Sequence, residues 1–128
     1  MKTTSKKPRI QRKAMANAPH HERRKFLSAP LSDELRAKYG FRNLPIRRGD
    51  TVKVMRGDFA GIEGKVIRVD RERARVFVEG ITRESVSGEA KSVPIHASKV
   101  MITSLDLSDK WRAEALEAGA KAKVEASA

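Results

Sequence analysis

The chain has 128 residues, a formal net charge of +12 and a sequence pI near 10.5. This length allows one domain with extensions but not two full domains, and with 39% hydrophobic and 5% aromatic residues the core can only be modest. The absence of cysteine excludes disulfides and thiolate zinc sites, and no apolar run resembles a secretory signal or approaches the ~20 residues of a membrane helix.

The positive charge is concentrated at the amino-terminal end. Residues 1–48 hold 14 Lys and Arg against 3 Asp and Glu, whereas residues 49–128 hold 14 against 13. This asymmetry indicates a polyanionic partner, and nucleic acid is the first candidate. An anionic membrane surface is the second, because a membrane-binding helix needs a wide apolar face and residues 1–25 contain no Phe, Trp, Tyr, Leu or Val. We interpret residues 1–18 as a basic extended arm that becomes ordered on a polyanion. A tail that stays disordered and a transit peptide are the alternatives.

Two short helices and a linker are predicted over residues 19–48. Pro19 suits the first turn of one helix, which ends before the sequence "SAP". Ser32 is a good N-cap and Gly40 a plausible stop, so the second helix is predicted over 33–39.

From Asp50 the hydrophobic period changes to two, which predicts β-strands. The segments "TVKVM", "GKVIRVD", "RARVFVEG", "KSVPI" and "KVMIT" are each interpreted as a strand, with turns at "DRER" and "SVSGE". In the third strand Ala74, Val76 and Val78 are expected on one face. Five short strands predict a mainly β fold, with a small, strongly bent antiparallel barrel over residues 49–104.

A helix followed by a tail is predicted over residues 105–128. Ser108 is the expected N-cap and Gly119 the expected end of the helix. We expect one face of this helix to carry Trp111, Ala115 and Ala118.

A glycine-rich connection joins the first two predicted strands. Gly57 and Gly61 bracket a tight loop, and Gly64 suggests a bulge or a close approach of another backbone. Arg56 and Lys65 flank this loop with positive charge. Glycines leave room for a sugar-phosphate chain, which small barrels contact through their loops. These residues alone leave open the alternative that the glycines only allow sharp corners.

The stretch "GDTVKVMRGDFAGIEGKVIRVDRERARVFVEG" resembles the KOW motif, found in SH3-like barrels of ribosomal and transcription proteins. The flanks "APHHERRKFLSAPLSDELRAKYGFRNLPIRRGD" and "SVPIHASKVMITSLDLSDKW" extend the resemblance over residues 17–111. Together they resemble the archaeal and eukaryotic family of large-subunit ribosomal protein L twenty-four, counted L twenty-six in eukaryotes. Ala60 stands where such loops usually carry Lys, which gives Arg56 and Lys65 more weight.

The resemblance implies an SH3-like barrel, the KOW domain, in a structural ribosomal protein of the cytoplasm. Members of the family bind the 5′ domain of large-subunit ribosomal RNA, act early in assembly and lie near the polypeptide exit tunnel. The implied partners are that RNA, neighbouring large-subunit proteins and nascent-chain factors, with no membrane, no cofactor and no homo-oligomer.

The residues expected to contact RNA are basic side chains, histidines and two loop glycines. They are Lys6, Lys7, Arg9, Arg12, Lys13, His20, His21, Arg23, Arg24, Lys25, Arg42, Arg47, Arg48, Arg56, Gly57, Gly61, Lys65, His96 and Lys99. Contacts of this kind fix position more than they read sequence, so specificity is expected from RNA shape, unpaired bases and 2′-hydroxyl groups.

Metal binding and catalysis find little support in the sequence. His20 and His21 are adjacent, point to different faces of a helix and lack a third ligand at useful spacing. One local grouping, His96, Ser98 and Asp106, has the residue types of a hydrolase triad but no nucleophile elbow, and "GIEGKV" lacks the Walker spacing. We therefore predict neither an enzyme nor a metal site.

Two other functions remain open. A transcription elongation factor would normally place its KOW barrel after a larger polymerase-binding domain, whereas only 48 basic-rich residues precede the barrel here. A peptide-binding adaptor needs exposed aromatic side chains, and residues 49–103 contain only Phe59 and Phe77. The helix near Trp111 is a further candidate contact for nascent-chain factors.

Overall fold

The computed structural model describes the backbone of residues 4–127 and the side chains of residues 4–122; residues 1–3 and 128 lie outside the described part. The helices are α1 (Pro8–Ala16), α2 (His20–Arg23), α3 (Asp33–Tyr39) and α4 (Lys110–Ser127), with 3₁₀ turns at Arg24–Leu27 and Ala97–Lys99. The strands are β1 (Ser28–Pro30), β2 (Asn43–Pro45), β3 (Thr51–Val54), β4 (Glu63–Asp70), β5 (Arg75–Val78), β6 (Thr82–Glu84), β7 (Ala90–Ser92), β8 (Ile95–His96) and β9 (Val100–Ser104).

A five-stranded antiparallel sheet with the order β8–β5–β4–β3–β9 forms the centre of the molecule. Four of its strands, β3, β4, β5 and β9, match predicted segments. The predicted strand "KSVPI" is wrong as one element, because residues 91–92 belong to β7 outside this sheet and β8 spans only Ile95–His96. The register shifts between Thr51 and Val52 and between Val66 and Arg68. Such bulges bend a sheet and increase its twist, and here they curve it into a barrel-like domain. The prediction of a mainly β chain with a small barrel is confirmed.

One aliphatic core fills this domain. Its buried members are Leu27, Ala29, Leu31, Ile46, Val52, Val54, Val66, Val76, Val78, Ile81, Ile95, Ala97, Val100 and Ile102. The amino-terminal segment reaches this core because β1 pairs with β2 and Leu31 forms a parallel bridge with Ile102 on β9. The sequence did not predict β1 or β2, since each spans three residues and neither shows an alternating pattern.

The prediction of an extended arm is wrong for the stretch that forms α1. Pro8 occupies the first turn, where a missing N–H costs no hydrogen bond, and no residue of α1 is buried. The guanidinium of Arg23 donates to the carbonyl oxygens of Ala16 and Ala18, at 2.8 Å and 3.0 Å. A side chain beyond the helix therefore satisfies a carbonyl that the end of α1 leaves free.

The helix predicted over residues 33–39 is confirmed as α3, and Gly40 ends it in the left-handed conformation with φ of 73°. The alternation predicted for β5 is partly wrong. Val76 and Val78 are buried as expected, but Ala74 has φ of 55° and belongs to the preceding turn, so the strand begins at Arg75.

The boundaries predicted for the last helix are wrong at both ends. α4 begins at Lys110, and the carboxylate of Asp109, not Ser108, accepts the backbone N–H of Trp111 at 3.0 Å. Gly119 lies inside the helix. A Cβ atom at Gly119 would overlap the ring of Phe41, so glycine allows α4 to pack against the segment after α3.

The packed face of α4 also differs from the predicted one. Trp111 is 80% exposed, whereas Arg112 and Leu116 are buried. Arg112 donates through two nitrogens to the fully buried carboxylate of Asp50, at 2.5 Å and 2.7 Å. This buried ion pair fastens α4 to the start of the barrel.

Strands β6 and β7 form a separate two-stranded hairpin in which every strand residue is exposed. The hairpin leaves the barrel between Ile81 and Val93, whose backbones are joined by a hydrogen bond of 3.3 Å. Of the helices within residues 4–127, none combines the length and the apolar character that crossing a lipid bilayer requires.

Candidate nucleic-acid interface

The basic side chains of the amino-terminal segment project into solvent. Residues 4–21 contain no Asp or Glu, so no carboxylate of that stretch competes for its cations. The five predicted RNA contacts on or just before α1 are all exposed: Lys6, Lys7, Arg9, Arg12 and Lys13. His20, His21, Arg24 and Lys25, on α2 and the 3₁₀ turn, are exposed as well. We call this cationic segment, residues 4–25, the basic arm; Glu22 is its one acidic residue.

Arg23 differs from its neighbours because its guanidinium is engaged within the protein. Besides the two carbonyls at the end of α1, it donates to the carbonyl oxygen of Glu72 at 3.2 Å. Glu72 lies in the turn between β4 and β5, so this side chain ties the basic arm to the barrel. We assign Arg23 a positioning role; direct contact with RNA stays a prediction.

The glycines of the β3–β4 connection serve two different purposes. Gly57 and Gly61 have φ of 95° and 90°, and a Cβ atom at either would meet nothing within 4 Å, so the turn requires glycine for its backbone conformation. At Gly64 a Cβ atom would lie 2.6 Å from the carbonyl oxygen of Glu79. The sequence analysis predicted that another backbone approaches Gly64 closely. That backbone is the protein's own, at Glu79, directly after β5.

The register of the β3–β4 hairpin separates Arg56 from Lys65. Arg56 lies in the exposed loop, whereas Lys65 pairs with Thr51 at the opposite end of the hairpin. Each strand residue advances the chain by about 3.3 Å, so the two cations do not flank one gap. That part of the sequence interpretation is wrong, although both side chains remain exposed.

Arg56 instead lies next to the turn that contains His96 and Lys99. The backbone N–H of Met55 donates to the carbonyl oxygen of Lys99 at 2.8 Å, which joins the loop to this turn. Nδ1 of His96 accepts the backbone N–H of Ser98 at 3.1 Å and lies 2.7 Å from its hydroxyl. The cations at this end of the barrel therefore come from two connections that are far apart in sequence.

The electrostatics of His96 follow from its surroundings. Burial is the main cause that lowers the pKa of His96 below its ordinary value of 6.5, and the neighbouring cations Arg75 and Lys99 lower it further. With Nδ1 accepting from the Ser98 backbone, a neutral ring carries its proton on Nε2. His96 can therefore donate one hydrogen bond outward to an acceptor such as a phosphate oxygen.

The linker arginines have different environments. Arg42 and Arg48 are exposed. Arg47 forms an ion pair of 2.6 Å with Asp109, and this hydrogen bond is the main cause that lowers the pKa of Asp109. An RNA phosphate would have to compete with Asp109 for Arg47.

A family model matches residues 5–118, and its description covers the eukaryotic ribosomal proteins L26 and their archaeal counterparts of the L twenty-four type. The chain belongs to this family of ribosomal proteins. It is also 56% identical over 117 residues to the "Large ribosomal subunit protein uL24" of Korarchaeum cryptofilum (strain OPF8), an alignment that covers 91% of this chain and 89% of that protein.

Membership in this ribosomal family confirms the predicted family and agrees with the prediction that the chain is a structural protein, not an enzyme. It also implies the predicted location, on ribosomes of the cytoplasm. Among the side chains that the structure describes, no group of three or more His, Asp and Glu residues is placed to hold a metal ion.

The sequence analysis did not select the arginines on the β4–β5 hairpin as candidate contacts. The turn "DRER" was interpreted only as a polar connection. Arg71 in this turn is exposed, and Arg68 on β4 lies over the ring of Phe77 at 4.2 Å. The run of arginines over residues 68–75 marks this hairpin as cationic, but the packing of Arg68 on Phe77 depends on the β4–β5 register.

Proposed function

We propose that this chain is a structural constituent of the large ribosomal subunit and binds large-subunit ribosomal RNA through its basic arm and the loop end of its barrel. The observation that carries the proposal is the acid-free stretch of exposed cations over residues 4–21, anchored to the barrel through Arg23. The hydrogen bond from Arg23 to Glu72 holds this segment against the barrel, which suits a folded polyanion.

The proposed mechanism is electrostatic. Lys and Arg side chains of the basic arm lie along the RNA backbone and release its condensed counterions. Arg56 and Lys99 add contacts at the loop end, where Gly57 and Gly61 present a turn without side chains. Because contacts to phosphate carry no sequence information, specificity must come from other features of the RNA. These are its shape, its unpaired bases and its 2′-hydroxyl groups.

The finer assignments rest on the resemblance to the family. They are an SH3-like KOW barrel, binding to the 5′ domain of the ribosomal RNA, an early role in assembly and a position near the polypeptide exit tunnel. At such a position the partners are neighbouring large-subunit proteins and nascent-chain factors. The relative from Korarchaeum cryptofilum carries "Large ribosomal subunit protein" in its name, which supports the subunit assignment.

The decisive experiment is sedimentation of the cell-derived protein through a high-salt gradient, followed by crosslinking and mapping of the attached RNA. We expect the protein in the large-subunit fractions, with crosslinks in large-subunit ribosomal RNA. Co-purification with RNA polymerase and absence from ribosomal subunits would contradict the proposal and favour a transcription factor.

A further inference from the structure

A groove of about 640 Å³ lies between α4 and the barrel. The β3–β4 loop that contains Gly57 and Gly61 does not line it. Its apolar floor includes Leu44, Pro45 and Leu116. Its rim carries Arg24 from the basic arm, Arg48 from the linker and Arg71 from the β4–β5 turn, together with Trp111 and the ion-paired Arg47 and Asp109.

The rim of this groove is positively charged. Among the described side chains, no carboxylate forms an ion pair with Arg24, Arg48 or Arg71. Two carboxylates also line the groove: that of Asp109 is paired with Arg47 at 2.6 Å, and that of Asp106 accepts the backbone N–H of Ser108 at 3.1 Å. Three guanidinium groups without a carboxylate partner around one groove favour an anionic ligand whose oxygens can accept bidentate hydrogen bonds, such as phosphate.

Trp111 is the unusual residue of the groove. It is the only tryptophan in the chain, and it is 80% exposed although the packed face of α4 lies one residue further on, at Arg112. Its backbone N–H is held by Asp109 at 3.0 Å, so the start of α4 is fixed while the indole remains free. The fold itself does not use this ring.

We propose that the groove binds an unpaired nucleotide of ribosomal RNA, whose base stacks on the indole of Trp111 while Arg24, Arg48 and Arg71 hold the adjacent phosphates. This proposal rests on the proposed function and adds a specific subsite to it. An aromatic platform beside a cationic rim is the arrangement that single-stranded nucleic acid requires, because every base has a face to stack and every linkage has a charge.

An acidic peptide of a neighbouring protein is the competing ligand. It would use the arginines but would gain little from an exposed indole that lies above the groove floor. The position of Arg24 at the end of the basic arm also favours RNA, because a backbone that follows the arm would lead directly into the groove.

The test uses the full chain, whose single tryptophan reports on the site directly. The probes are a uridine decamer and a decamer of abasic ribose phosphates with the same charge. We expect the uridine decamer to reduce Trp111 fluorescence about twofold and the abasic decamer to leave it unchanged, because stacking requires a base.

Variants locate the site. By anisotropy of the labelled uridine decamer, Trp111→Ala should weaken binding about tenfold, and Trp111→Phe should weaken it less because an aromatic face remains. Arg71→Gln should weaken binding more than Arg83→Gln, a matched exposed arginine on β6.

Two results would overturn the proposal: equal quenching by both decamers, or a Trp111→Ala affinity within twofold of the parent chain. A photoreactive side chain at Ala115 that crosslinks, in assembled subunits, to a protein and not to RNA would also overturn it. These failures are distinct from failure of the proposed function, because the Trp111→Ala chain would still sediment with large subunits if only the subsite were wrong.

Discussion

At the scale of single residues, the Asp50 carboxylate connects three parts of the molecule. It accepts two guanidinium hydrogen bonds from Arg112 and the backbone N–H groups of Arg47 at 3.1 Å and Asp106 at 3.0 Å. Four donors thus surround a side chain that solvent does not reach. The linker, the chain after β9 and α4 all meet at this carboxylate.

We expect Asp50→Ala to lower the free energy of unfolding by about 3–5 kcal/mol, because it leaves the buried Arg112 without its counter-charge. The measurement is urea denaturation followed by circular dichroism. Asp58→Ala, which removes an exposed carboxylate from the β3–β4 loop, serves as the control and should change stability by less than about 0.5 kcal/mol. Equal losses in the two variants would show that the ion pair does not stabilise the fold.

We expect His96 to make the free energy of unfolding depend on pH. Its pKa is lowered in the folded chain by burial and by Arg75 and Lys99, so the unfolded chain takes up a proton first as the pH falls through 6.5. The contribution of the neutral ring to the free energy of unfolding is therefore complete well above pH 6.5 and declines as the pH falls below that value. Because one proton is involved, the slope of this decline stays under about 1.4 kcal/mol per pH unit.

We expect His96→Asn to reduce this decline, because the amide oxygen can still accept the Ser98 N–H but does not titrate. Urea unfolding between pH 5 and 8 measures the effect, with His20→Asn on exposed α2 as the matched control. The carboxyl groups of Asp106 and Asp109, whose pKa values are lowered, titrate in a separate window below 3.8. An unchanged pH profile in His96→Asn would refute the assignment.

At the scale of elements, the β6–β7 hairpin forms a two-stranded sheet separate from that of the barrel. The hairpin buries none of its strand residues, while Ile81 just before it is fully buried. The hydrogen bond between Ile81 and Val93 already closes the barrel at the base of the hairpin. The turn predicted at "SVSGE" does connect β6 to β7, but the sequence analysis missed β6 and assigned residues 91–92 of β7 to a barrel strand.

We expect a chain in which Asn-Gly replaces residues 82–92 to retain the fold, with a change in unfolding free energy of less than about 1 kcal/mol. The two-residue turn would keep the Ile81–Val93 hydrogen bond. Thermal denaturation and the dispersion of the amide NMR spectrum provide the measurement. The core substitution Ile81→Ala should instead cost about 2–5 kcal/mol; a comparable loss in the shortened chain would show that the hairpin supports the barrel.

At the scale of the whole molecule, the charge asymmetry determines how binding responds to salt. The basic arm carries cations without carboxylates over residues 4–21, whereas the β6–β7 hairpin balances Arg83 and Lys91 with Glu84 and Glu89. Each phosphate contact contributes about 0.7 to 0.9 to the slope of log affinity against log salt. About ten contacts would give a slope of roughly −7 to −9.

We expect the double variant Lys7→Gln and Arg12→Gln to make this slope less steep by about 1.5, because two phosphate contacts are lost. The matched variant Lys91→Gln and Arg83→Gln removes the same residue types from the charge-balanced hairpin and should leave the slope unchanged. Filter binding to a large-subunit ribosomal RNA fragment over a range of salt concentrations measures both. Equal slopes for the two variants would contradict the assignment of the basic arm.

The sequence by itself determined the features that depend on near neighbours: four of the five barrel strands, α3 with its Gly40 end, the basic character of the amino-terminal segment and the ribosomal family. Periodicity, capping and charge are local properties, so they can be read without knowing the fold. Only the tertiary structure decided that Arg112 is a buried partner of Asp50, that Gly119 accommodates Phe41 and that Lys65 lies away from Arg56. These relations join residues far apart along the chain or depend on strand register, and the closing of the barrel brings them together.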